Sequence, residues 1–452
     1  MNITPEGFGA NVIGGEGGVE VWVTSLADSG PGTLREACLL AEDRHIQFAV
    51  NGVVELLSPI RFVQPNVTID GSTAPGDGVC IKGKLDLTTN SILHHLRVRQ
   101  GLVGMGDCVE VWGADFLADH CSLSWAGDEN IGFHRNAQPR NTTVQWCIIS
   151  EGIKGLLASY GTHGVTFHHN LFAGNYIRSP FVGSSAADPE DPAADFDIRN
   201  NVIYNIGNSA VDVTGQIKAN VVGNYFREKK GTTRLHRYCV VLEGDPPPET
   251  IQIYVDGNYG PVRKEGDAEW NQVRYHDVSG WGVADESKYR ASTPFACPSV
   301  ATESASSAYL LVLASAGATL PMRDSVDRRV TQEVWDGTGI CPVGSSEGAY
   351  RTFAAEQWET LSYEGGEEPM AEHSYDPASQ PFIVGEGLPR PSLTFVRRTT
   401  VYDGDIAIKD EDGLPVAGVT ITVDGKSAVT SASGQCVIEG VAAGNYMATP
   451  QV

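Results

Sequence analysis

Between residues 107 and 205 apolar and polar positions alternate in short runs, DCVEVWGADF, LADHCSLSW, NTTVQWCIISEG, GVTFHHNLFAGN and FDIRNNVIYN, each broken by Gly, Asn or Asp. A period of two held for only a few residues predicts short half-buried strands, and no run is long enough for an amphipathic helix. The phrase of strand, Asn-containing turn and strand recurs at 169–171, 200–205, 220–225 and 256–259. A repeat of roughly 20 to 35 residues holding two or three strands is the pattern of a parallel β-solenoid, whose coils bury their inner faces only by stacking. Stacking sets like residue above like. Asn170, Asn201, Asn220 and Asn258 are therefore expected to form a ladder at the bends, since Asn tolerates the left-handed backbone and its amide can bond the next amide along the stack.

The period changes at residues 32–42, where Leu34, Ala37, Cys38 and Ala41 fall at helical spacing. A helix is expected there as a cap, because an open terminal coil exposes its core and its strand edges. Strands resume from Ile46 to Val98. Beyond Pro261 the alternation fades, and Ser304 to Gly339 turns helical around LLVLASAGATL and VDRRVTQEVW. Residues 342–400, rich in Gly, Glu and Pro, predict an extended strap. From Val401 alternating strands return between Asp-Gly turns, as in a small β-sandwich. The expected organisation is all-β: a solenoid with an outer strap over 1–340, a linker over 341–400 and a sandwich over 401–452.

Composition narrows the partners. Against 56 acidic residues stand 32 Lys and Arg, a net charge of −24, which argues against nucleic acid or an anionic membrane as partner. A polyanionic substrate would also be repelled unless cations are gathered locally. The longest apolar run, Tyr309 to Leu320, is well short of the roughly 20 residues a membrane helix needs, so no membrane insertion is expected. The start, MNITPEGFGA, carries no signal-peptide pattern. Nine cysteines are present, with no CxxC pair to suggest zinc or redox chemistry. Cys80, Cys108, Cys121 and Cys147 lie in apolar strand patterns and are expected to be buried free thiols. His134, His168 and His169 read as bend or core residues.

Eight collinear phrases carry a resemblance: GFGANVIGGEGG (7–18), SLADSGPGTLREA (25–37), VTIDGSTAPGDGVCI (67–81), DHCSLSW (119–125), VQWCIISEG (144–152), FHHNLFAGNYIRSP (167–180), RNNVIYNIG (199–207) and AGATLPMRDSVDRRV (316–330). Over residues 7 to about 340 the chain resembles the pectate lyases of polysaccharide lyase family one. The resemblance implies a right-handed parallel β-helix that cleaves an acidic polysaccharide such as polygalacturonate by calcium-dependent β-elimination. It assigns calcium to Asp107 and to the later acidic position, where Asp128 and Glu129 both stand. It also makes Arg178 the base and puts Lys154 near the substrate carboxylate. Two positions depart from the family pattern. Met105-Gly106 stands where a further acid is common, and Phe181-Val182-Gly183 stands where a second arginine is usual.

Family members are exported, which implies an extracellular, surface or virion-associated protein. The tail resembles carboxypeptidase-regulatory-like modules, which anchor or space their neighbours, so an assembly partner through that module is expected. The alternative reading is a catalytically silent β-helix that binds glycan, such as a virion or surface adhesin.

Overall fold

The computed structural model describes residues 3–101, 106–134, 137–159, 161–184, 194–232, 237–244, 247–277, 280–341, 347–361 and 363, and strands within 390–451. Two compact units divide the chain, Met1–Glu368 and Pro369–Val452.

The first unit is a parallel β-solenoid with three sheets. Ten strands from Val19–Val23 to Ile251–Asp256 follow one another in the first sheet, and eight from Gly52–Glu55 to Tyr225–Arg227 in the third. The second sheet runs from Ile60–Val63 through seven intervening parallel strands to Val273–Asp277, where an antiparallel hairpin with Gly280–Val283 ends it. That sheet thus extends past Pro261, where the alternation fades in the sequence.

In-register stacking forms the core. Along the first sheet Ile46, Ile69, Leu93, Ala118, Val144 and Phe167 stand one above the next, and all are fully buried. Apolar area removed from water in this way supplies the main stabilisation, about 25 cal/mol per Å².

The bend ladder departs from expectation at one rung. Asn170 N and Nδ2 donate to Asn201 Oδ1 at 3.0 Å, Asn201 repeats this on Asn224, and Asn224 repeats it on Asn258. Asn224, not Asn220, is the rung; Asn220 faces the outer wrap, donating to Phe295 O at 3.0 Å and accepting from Phe295 N at 2.9 Å. The ladder continues at its other end through Cys147, whose N–H donates to Asn170 Oδ1 at 2.9 Å. Every described cysteine is free, and Cys80, Cys108, Cys121 and Cys147 are buried.

The cap is the Leu34–Leu39 helix, with Leu34, Ala37 and Cys38 buried. Thr33 caps the helix by accepting from Glu36 N, and Glu36 Oε2 accepts from Gly32 N at 2.9 Å, one residue ahead of the cap. The helix stops before Ala41, which is exposed. Helices Ala305–Ser315 and Ser325–Asp336 pack along the third sheet, the second of them fixed by Arg99 on Asp324 at 2.7 Å and on Asp327 at 2.9 Å, all three buried. A further helix, Glu347–Thr360, falls within the stretch expected to be strap. No helix among the described residues is long and apolar enough to cross a membrane.

The second unit holds two three-stranded antiparallel sheets. Arg390–Arg398, Val401–Lys409 and Gln435–Ala442 form one, and Lys426–Val429, Thr420–Val423 and Thr449–Gln451 the other. Its first strand lies ahead of residue 401, because Arg390–Arg398 pairs along its whole length with Val401–Lys409.

Candidate active site

Three neighbouring strands of the second sheet, Val109–Val111, Glu129–Phe133 and Lys154–Ala158, build the site. Glu129 stands opposite Lys154 at the starts of the last two. Asp107 lies just ahead of the first strand and Asp128 just ahead of the second. The three acids expected to act together are together: one carboxylate oxygen from each of Asp107, Asp128 and Glu129 lies within 4.8 Å of the others. The backbone holds them there, with Glu129 N donating to Asp107 Oδ1 at 3.0 Å and Asp128 N to Gly106 O at 2.9 Å. Gly132 leaves the space, since a Cβ there would stand 2.4 Å from Asp107 Oδ2.

Crowding sets the electrostatics. Burial, and then the charge of Glu129, push the Asp107 carboxyl up to about 8. Burial and then Asp128 raise Glu129. Asp107 and Glu129 are buried, whereas the Asp128 side chain is 46% exposed and forms the open lip. Two cations answer the three acids. Lys154 Nζ bonds Asp128 and lies 3.7 Å from Glu129, and Arg178 donates from Nη1 to Glu129.

Arg178 is held rigidly. Its backbone is left-handed, at φ 61°, and its carbonyl accepts from Leu156 N at 2.7 Å. A Cβ at Gly155 would stand 2.5 Å from that carbonyl oxygen. A non-glycine residue held at positive φ costs on the order of 1 kcal/mol or more and persists where its surroundings enforce it. Phe181, standing where a second arginine was expected, has its ring centre 5.3 Å from the Arg178 guanidinium.

Neighbours that the sequence did not single out extend the charged face. Lys84 bonds Glu110 and lies 3.2 Å from Asp86, and Asp86 is opposite Glu110 in register. On the other side Asp212, opposite Phe181, is buried and accepts from Ser209 Oγ at 3.0 Å. Burial, and then Glu243, push its carboxyl up to about 8. The signal for Lys84 and Asp86 was the two-residue period itself, which places them on the face that Glu110 occupies one coil on.

Other acids and histidines of these coils have partners of their own. Asp119 is held by His94 at 2.9 Å and His120 at 3.0 Å on the first sheet, and Asp115 accepts from Asn141 Nδ2 at a left-handed bend. His168 meets Gln145 at 3.1 Å and His169 meets Glu303 at 2.8 Å, away from the acids. Three carboxylates in one cradle are a donor set suited to a hard divalent ion that takes oxygen ligands.

No family model matches this chain. It is 35% identical over 345 residues to a probable pectate lyase C of Neosartorya fischeri, covering 73% of this chain and 75% of that protein. To a probable pectate lyase C of Aspergillus terreus it is 33% identical over the same length and coverage. Among solved structures its fold is similar to that of jun a 1, the major allergen from cedar pollen, with a TM-score of 0.51 at 18% identity over 68% of this chain and 91% of that one.

Proposed function

The chain belongs to the pectate lyases, a family of polysaccharide lyases, and from that premise we propose that it cleaves polygalacturonate or a related uronan by calcium-dependent β-elimination. The observation that carries the reading is the cradle of Asp107, Asp128 and Glu129 within 4.8 Å, met by Lys154 from the next coil and by Arg178 from the coil after that.

Elimination across C4–C5 of a uronate needs its carboxylate neutralised, the C5 proton removed and the C4 oxygen released. Asp107, Asp128 and Glu129 would hold calcium, which when bound supplies the positive charge that neutralises the carboxylate and acidifies the C5 proton. Lys154, partly exposed beside Asp128, adds a second positive group for that carboxylate. Arg178, fixed at its backbone and reaching the same acids, takes the C5 proton. Guanidinium groups are protonated in neutral water, so this step requires prior loss of a proton. Turnover is accordingly expected to climb as the medium becomes alkaline. The C4 oxygen gains its proton from solvent. The place of action is outside the cell, where such polymers lie, and the second unit serves as an anchor or spacer toward an assembly partner.

Incubation with polygalacturonate should release C4–C5 unsaturated oligouronates, read as rising ultraviolet absorbance, abolished by chelator and restored by calcium. Binding of the polymer without unsaturated product, at any calcium level and in mildly alkaline buffer, would overturn the lyase reading in favour of a silent glycan-binding shaft.

A further inference from the structure

The edge strand of the second sheet breaks its own alternation. Along Ile60–Val63 the burial runs buried, exposed, exposed, buried, and the pairing with Leu85–Leu87 slips between Ile60 and Val63. A bulge of this kind re-aims a side chain. Here it turns two successive residues, Arg61 and Phe62, outward together. Phe62 has a left-handed backbone at φ 54° and is 47% exposed, so an aromatic residue is held in a disfavoured conformation without being buried.

The ring stands edge-on to Trp112, with centres 5.2 Å apart at 75°, and Trp112 is stacked in turn on His134 at 3.4 Å. Trp112 Nε1 and His134 Nδ1 are screened from water and make no hydrogen bond in the protein. Arg61 is 61% exposed on its side chain and lies 3.4 Å from Asp86. The platform joins the candidate active site through Glu110, which is bonded to Lys84 and lies 3.9 Å from His134.

An apolar ring beside an exposed guanidinium matches a uronate unit, which has a C–H face for stacking and a carboxylate for pairing. We infer that Phe62, Trp112 and Arg61 form a distal subsite for a galacturonate unit of the chain being cleaved, with Phe62 and Trp112 under the sugar face and Arg61 on its carboxylate. This rests on the lyase reading above. Ile60–Val63 lies three strands from Glu129–Phe133, about 14 Å at the usual strand spacing. Only a substrate several units long would engage both places. The subsite thereby favours long polymer over short oligomers.

Phe62→Ala and Arg61→Ala alter exposed side chains. Each is expected to raise the KM for polygalacturonate about five- to tenfold, against less than twofold for trigalacturonate, with kcat held within twofold. Phe62→Tyr, which keeps the ring, should restore the polymer KM. Polygalacturonate affinity, measured by calorimetry on Arg178→Lys protein with and without Phe62→Ala, should fall by the same factor. That arm reads the platform even if no unsaturated product forms, so failure of the lyase reading stays distinct from failure of this one. An unchanged polymer KM, an equal loss on both substrates, or a lowered melting temperature with unchanged affinity would overturn the subsite.

Discussion

Two stacks run along the same solenoid and use the register in opposite ways. At the bend between the first and third sheets, Asn170, Asn201, Asn224 and Asn258 repeat one amide, and each donates to and accepts from its neighbours. On the second sheet the stack never repeats: Asp86 is followed by Glu110, then Gly132, Leu157, Phe181 and Asp212. A repeated amide satisfies itself inside the protein and contributes to stability. A stack of unlike residues cannot pair with itself in this way, and it leaves carboxyls such as Asp86 and Asp212 buried, raised in pKa and without a repeating partner. The fold is stabilised at its bends and leaves binding capacity on its second sheet.

The contrast can be tested from both sides. With Arg178 as the proposed base, Arg178→Lys keeps the charge but misplaces the proton acceptor, and turnover should fall on the order of 100-fold or more while the melting temperature hardly moves. Asn201→Ala should do the reverse. It strands buried donors and acceptors on both neighbouring rungs, for a loss of about 2–3 kcal/mol in denaturant unfolding with kcat retained. On the proposed calcium site, Asp107→Asn removes one ligand charge and should raise the calcium needed for half-maximal rate by about tenfold before it lowers the maximal rate.

The smallest effect belongs to Asp212. Its folded pKa, about 8, lies above the usual carboxylate value, so the native state keeps a proton that the unfolded chain loses near pH 4. The stability tied to that proton is full below pH 4 and is lost as pH rises through about 8. Asp212→Asn, which cannot ionise, should flatten this decline by at most one proton's worth of slope in urea unfolding measured from pH 5 to 9. An unchanged slope would mean that the carboxyl is ionised in the native protein.

What could be read from the chain alone was whatever repeats or is local. Alternation and Asn-bearing turns announced stacked coils, and Leu34, Ala37 and Cys38 announced a capping helix that stops two residues before Ala41. The motifs placed Asp107, Asp128, Glu129, Lys154 and Arg178 in one functional set, and the fold brings all five into contact range. Registry between coils was not legible. The stretch 220–224 offers two asparagines, and only the stacked structure selects Asn224 for the ladder and turns Asn220 to the wrap. Lys84, Asp212 and the Phe62 platform belong with that second kind of fact. Their partners on neighbouring coils lie 20 or more residues away, across turns of unequal length. A period-two pattern gives the face on which a side chain lies but not which residue of the next coil stands beside it, and a single bulge at Ile60–Val63 is enough to turn two neighbours to the same side.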